Sequence, residues 1–140
     1  MIEGLLGTVL AILTIFIFRM MAGKREHANY AIALIIAALI YVGFSLFADD
    51  PRWISLELVG LAIYFIFALL GLKYSPWFLA IGWAAHIVWD IGLHTSTAIS
   101  FVPEWYPLLC VAYDVVMASY IAFHSKYLTS TLRIKATPLT

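Results

Sequence analysis

Five long apolar runs, separated by short polar stretches, occupy residues 4–22, 29–47, 53–72, 77–96 and 107–123. A helix needs about 20 largely apolar residues to cross the hydrocarbon core of a bilayer, and each run approaches that length. The runs are unbroken, whereas strands of a membrane barrel alternate between apolar and polar over about ten residues. The pattern therefore predicts an all-α integral membrane protein, a bundle of five transmembrane helices. Residues 1–140 form one membrane domain, of which 124–140 are a basic tail.

Local chemistry supports several of these boundaries. Asp50-Pro51 and Ser75-Pro76 each offer a capping side chain followed by a proline suited to the first helical position, and Pro107 is placed to open the fifth helix. Trp53, Tyr74, Trp77, Trp105, Tyr106 and Tyr127 fall near proposed ends, where amphipathic rings favour the headgroup layer. Ala33/Ala37 and Ala80/Ala84 are small-xxx-small pairs that let helices approach closely.

Composition narrows the class further. The 140 residues are 64% hydrophobic and 11% charged, with a mean hydropathy of +0.98, well outside the range of soluble domains. Eight Lys+Arg balance eight Asp+Glu, so no basic surface exists for nucleic acid. Cys110 is the sole cysteine, which excludes an intramolecular disulfide and a CxxC motif. Seven of the eight basic residues, Arg19, Lys24, Arg25, Lys73, Lys126, Arg133 and Lys135, share one side of the five-span topology; only Arg52 lies on the other. Cytoplasmic loops are enriched in Lys and Arg, which places the N-terminus outside and the C-terminus in the cytoplasm. A bacterial inner (cytoplasmic) membrane is the expected location.

Ionisable residues inside a span are costly and usually face the bundle interior or a cavity. The fourth run carries three, in Gly-Trp-Ala-Ala-His86-Ile-Val-Trp-Asp90-Ile-Gly-Leu-His94, at spacing i, i+4, i+8 on one helical face. The fifth adds Asp114, with Cys110 one turn earlier and Tyr113 beside it, and the third adds Glu57 near its outer end. At a rise of about 1.5 Å per residue, Asp90 lies about 9 Å, His86 about 15 Å and Asp114 about 10 Å from the outer surface. These depths predict an outward-facing polar cavity shared by the fourth and fifth helices.

Three chemistries fit such a cavity. His86, Asp90, His94 and Asp114 are candidate ligands for zinc or another transition metal, although His86 and His94, about 12 Å apart along a straight helix, cannot readily share one ion. With an open position, such a metal activates water, giving a metal-dependent hydrolase with His86, Asp90 and Asp114 as catalytic residues and a lipophilic molecule as substrate. Metal-free proton exchange between paired carboxylates and a histidine is the second chemistry, and noncovalent haem ligation by His86 or His94 is the third. The competing class is a non-catalytic accessory or structural subunit of a larger membrane complex, in which the cluster pins two helices together. Membrane lipid is an expected partner in every case, and a homo-oligomer would protect the cavity further. Glu57 is read as either hydrated or participating, Cys110 as packing or an additional ligand, and His27 and His124 as solvated boundary residues.

The stretch from Lys73 to Phe123 resembles a small bacterial integral-membrane family of unknown function, DUF6010. The resemblance rests on Gly-Trp-x-x-His-x-x-x-Asp leading to His94, then on Cys110-Val-Ala-Tyr113-Asp114. It implies that His86, Asp90, His94, Cys110 and Asp114 occupy the family's polar positions, and it implies no activity. Tyr113 stands where the family's second cysteine would be, and Thr95 where a second adjacent histidine is common.

Overall fold

The structure, a computed structural model, describes residues 1–22, 26–95 and 101–136. Five α-helices follow in order: α1 (Ile2–Ala22), α2 (Glu26–Ser45), α3 (Arg52–Lys73), α4 (Trp77–Trp89) and α5 (Tyr106–Ala136), and a π-helical segment (Asp90–Thr95) prolongs α4. There is no strand among the described residues. Helices α1, α2, α3 and α5 are long and apolar enough to cross a membrane. The 13-residue α4 is shorter and relies on the six-residue π segment to extend it. Lys24, Arg25 and residues 96–100, which include the expected end of the fourth helix, lie outside the described residues, as do the side chains of Arg133 and Lys135.

The capping chemistry works, displaced by one position. Pro51 and Pro76 take the cap positions themselves, so α3 and α4 start immediately after them. The Asp50 carboxylate accepts the Arg52 N–H at 2.9 Å and the Ser75 hydroxyl accepts the Trp77 N–H at 3.3 Å, each satisfying an orphan donor of a first turn. At the other end, α5 does not stop near Phe123 but continues into the basic tail as far as Ala136.

Helices α1 and α5 run parallel. Gly7 of α1 faces the backbone of Leu109 so closely that a side chain there would collide with its carbonyl. Helices α2 and α4 run the opposite way, and α4 packs between α3 and α5. Gly82 sets its depth: a Cβ there would lie 2.8 Å from Leu34 Cδ2 and 3.0 Å from Phe67 Cβ, so a larger residue would push α4 away from α2 or α3. Gly60 does the same for the α3–α4 contact, where a Cβ would lie 2.8 Å from the Trp89 ring. The core between these helices is built from Tyr30, Leu34, Tyr64, Leu79, Trp83 and Met117, all buried. Outward, Leu5, Phe16, Leu58, Ile66, Val88 and Val115 leave large apolar surfaces uncovered, an arrangement compatible with a membrane and unfavourable in water.

Candidate metal centre

The i, i+4 spacing of α4 carries His86 and Asp90 to the face packed on α5, where they meet Asp114 and Cys110. His86 Nδ1 lies 2.7 Å from Asp114 Oδ2 and 3.6 Å from Asp90 Oδ1. One ligand atom from each of His86, Asp90, Cys110 and Asp114 lies within 4.8 Å of all the others. His86, Asp90 and Asp114 are 0% exposed, and Cys110 is 5% exposed. The expected outward cavity is thus closed. Tyr41 of α2 covers the cluster, its ring 5.6 Å from that of His86 and stacked at 4.4 Å on that of His94. Tyr64 of α3 meets His86 edge-on at 4.9 Å.

His94 stands apart from the four. Its Nε2 lies 3.1 Å from Glu57 Oε1, an ion-pair distance without hydrogen-bond alignment, and Glu57 Oε2 accepts the indole N–H of Trp89 at 3.2 Å. The cause is the backbone. In π geometry each bond reaches one residue further than in an α-helix, so the residues after Asp90 rotate away from the straight-helix projection that aligned His86, Asp90 and His94. His86 and Asp90 face α5, whereas His94 turns to Glu57 of α3. Glu57 is itself buried, at 2% exposure, and takes part in this second pair instead of being hydrated.

The convergence of four ligand side chains, two of them carboxylates, sets this cluster apart from a single hydrogen-bonded pin. Both Asp90 oxygens, Asp114 Oδ1 and His86 Nε2 are buried and have no hydrogen-bond partner. Leaving one such group unmatched costs about 1–3 kcal/mol, more where it is charged. Two carboxylates, an imidazole and a thiol are a donor set suited to a transition metal. Metal–ligand distances of about 2.0–2.3 Å put neighbouring donors of a tetrahedral ion about 3.5 Å apart, so the cluster need contract by only about 1 Å. The residues present therefore fit a metal ion; nothing in the donor set singles out zinc.

Cys110 and Tyr41 belong to this site although neither stood out as strongly as the ionisable residues in the sequence. A cysteine inside an apolar run reads equally well as a small packing residue, and Tyr41 carries no motif. The sequence signal for Cys110 is its position one turn before Asp114, which sets both on one face.

A second polar group sits at the opposite end of the bundle. Glu26 Oε1 accepts the hydroxyls of Tyr30 at 2.8 Å and Tyr120 at 2.9 Å, joining α2 to α5. His27, expected to be solvated, is buried in the first turn of α2. His124 is also drawn into the protein: its ring stacks on Tyr120 at 4.2 Å and Nδ1 lies 3.1 Å from the Tyr120 carbonyl oxygen.

The chain belongs to the family of unknown function DUF6010, which matches residues 2–127. The match extends well beyond the Lys73–Phe123 stretch and takes in the two N-terminal helices. No curated protein and no solved structure matches the chain.

Proposed function

We propose that the protein is an integral membrane metalloprotein in which His86, Asp90, Cys110 and Asp114 hold one divalent transition-metal ion in the outer half of the bilayer, and that this centre performs hydrolytic chemistry on a lipophilic substrate. The observation that carries this reading is the set of fully buried, unpartnered ligand atoms on Asp90, Asp114 and His86. A cation would answer the two carboxylates, which outnumber the one imidazole between them.

The depth assignment takes α4 with its π segment as a fifth crossing beside the four helices long enough to span, with the N-terminus outside. The parallel run of α1, α3 and α5 gathers Arg19, Lys73 and Lys126 at one end, the cytoplasmic side under the rule that basic residues stay inside. Asp49, Asp50 and Glu104 collect at the other, together with the cluster.

A bound ion of the zinc type supplies Lewis acidity and a nucleophile at neutral pH. The chain supplies the rest. Asp114 accepts from His86 Nδ1 and fixes the ring orientation, as carboxylates do for metal-binding imidazoles. Asp90 contributes the negative charge nearest that pair, and Tyr41 with His94 closes the site to bulk water. For water to reach such an ion one of the four ligands would have to give way; an aspartate that did so would be placed to accept a proton, while His86, Cys110 and the other aspartate would hold the metal.

Elemental analysis of detergent-purified wild type and of His86→Ala and Asp90→Ala variants tests the reading. About one equivalent of metal per chain, lost in either variant, is the expected result. With cobalt(II) as the added ion, a sulfur-to-cobalt charge-transfer band present in wild type and absent in Cys110→Ser is expected. A protein that stays metal-free after reconstitution, with variants that fold and assemble normally, overturns the reading. It would favour a helix-pinning role for the His86–Asp114 bond in an accessory subunit.

A further inference from the structure

An apolar groove of about 450 Å³ opens between α1, α2 and α5, walled by Leu10, Ile17, Ala33, Ala37, Tyr106 and Cys110. It arises from helix packing. Gly7 draws α1 against α5 at Leu109, so α1 follows α5 and makes little contact with α2. The small-residue face of α2, Ala33 and Ala37, is consequently left as a groove wall instead of being closed by a neighbouring helix. The volume lies in the range of small-molecule sites, which are mostly apolar with a few placed polar groups.

Cys110 links this groove to the metal centre. It lines the groove, and its sulfur lies within 4.8 Å of the ligand atoms of His86, Asp90 and Asp114, which are otherwise sealed. The groove therefore abuts the cluster from the side that faces the bilayer.

We infer that this groove binds a single alkyl chain of a lipophilic molecule entering sideways from the bilayer, with its polar end beside Tyr106 and Cys110 and its tail directed toward Ile17. The inference rests on the cluster being the functional site and specifies how a substrate reaches it. Leu10 and Ile17 are each 46% exposed and set an apolar rim, so a polar solute would lose hydration with little in return. The Thr14 hydroxyl in the wall already donates to the Leu10 carbonyl at 2.8 Å. From Tyr106 to Tyr113 the groove runs about 10 Å along α5, long enough for part of an alkyl chain to lie extended. The cluster adjoins its Tyr106–Cys110 end, where a hydrolysable group must sit.

Two photoreactive long-chain alcohols, one with a diazirine beside the hydroxyl and one with it near the chain end, test this on the full chain in nanodiscs. The first is expected to label α5 around Tyr106–Tyr113 and the second α1 around Ile17 and α2 around Ala33. Ala37→Trp fills the groove and should lower both signals about tenfold, equivalent to about 1.4 kcal/mol of binding, while metal content stays at the wild-type level. Leu10→Trp, at the exposed rim, gives the same readout if Ala37→Trp fails to fold. Labelling spread equally over outward residues such as Leu58, Val59 and Ile66, and unchanged in both variants, shows annular lipid only and overturns the inference. Metal content measured on the same samples separates the two readings. Groove-specific labelling of a metal-free wild type sinks the metal centre and keeps the groove, whereas a metal-loaded protein without groove labelling does the reverse.

Discussion

Two buried polar groups lie toward opposite ends of the same helices, and they are built to different standards. Near one end, Glu26 Oε1 accepts two tyrosine hydroxyls, and those donors have no other evident task. Near the other, two aspartates share one imidazole nitrogen: His86 Nδ1 makes a short contact to Asp114 Oδ2 and stands 3.6 Å from Asp90 Oδ1, and no hydrogen bond reaches Asp114 Oδ1 or either oxygen of Asp90. The Glu26 group is a completed hydrogen-bonded pin between α2 and α5. The His86 group is a concentration of acceptors held together by the packing of α4 against α5, with a donor set that could hold a cation. A buried acid alone says little about function; the balance of its partners says more.

The sharpest way to break this contrast is to remove the metal. An ion present at a thousandfold excess over its dissociation constant stabilises the folded protein by about 4 kcal/mol, so chelation should lower the thermal midpoint of wild type clearly. Asp90→Asn and Asp114→Asn should show a low midpoint without chelator and no further response to it. Glu26→Gln should keep the full chelator response. Equal loss of metal in Glu26→Gln and Asp90→Asn would erase the distinction between the two groups.

Next in size is the packing that holds the π segment in place. A Cβ at Gly60 would stand 2.8 Å from the Trp89 ring and push the indole away from Glu57, which in turn pairs with His94. Gly60→Ala is expected to cost about 1–3 kcal/mol as overpacking, read by unfolding in detergent. Gly43→Ala is the matched control: nothing lies within 4 Å of its Cβ position, so the substitution should be neutral or slightly stabilising. Similar losses at both positions would count against the Trp89 contact as the cause, because helix propensity alone favours alanine over glycine at both.

The Glu26 pin should yield smaller effects. Tyr30→Phe and Tyr120→Phe each remove one hydroxyl, for which hydrogen bonds between membrane helices suggest about 0.6 kcal/mol. The double variant should cost more than the sum of the two, because it leaves Glu26 Oε1 buried with neither donor. Metal content should not change in any of the three, whereas a parallel loss of metal would couple the two ends and contradict their separate construction.

Much of this was legible in the sequence because membranes price polarity so heavily. The apolar runs locate the helices to within a few residues, except that α5 runs on past Phe123 to Ala136, and His86, Asp90 and Asp114 stand out as ionisable residues well inside the predicted spans. What was hidden depends on backbone register and on contacts distant in sequence. The π segment breaks the straight-helix projection and carries His94 to Glu57, and nothing in Asp-Ile-Gly-Leu-His-Thr announces that change. Glu26 sits beside basic loop residues and carries no motif, and only the placement of Tyr120, distant in sequence, brings it into a buried pair. Cys110 and Tyr41 look like ordinary members of apolar helices, and only the packing of α2, α4 and α5 brings them to the site. Ala33 and Ala37 carry the pattern of a close helix contact, yet the α1–α5 crossing at Gly7 leaves them lining a groove.

The smallest expected effect comes from a polar pair that is fully matched but exposed. Asp50 accepts from the Arg52 backbone N–H at 2.9 Å and side-chain Nε at 2.8 Å, with a further guanidinium nitrogen at 2.7 Å. These hydrogen bonds hold the Asp50 carboxyl below the ordinary carboxylate range. A depressed carboxyl contributes stability above its unfolded pKa and loses that contribution as pH falls through the folded value. Asp50→Asn should therefore lower the thermal midpoint slightly at neutral pH and converge with wild type in acid, where Asp50 is protonated. Solvent screening keeps the difference below that of Tyr30→Phe, since exposed ion pairs contribute little even with good geometry. Thermal midpoints of both proteins across the acid range provide the measurement. A neutral-pH deficit larger than that of Tyr30→Phe, persisting in acid, would mean that Asp50 acts by starting α3 through its side-chain contact with the Arg52 N–H, independently of its charge.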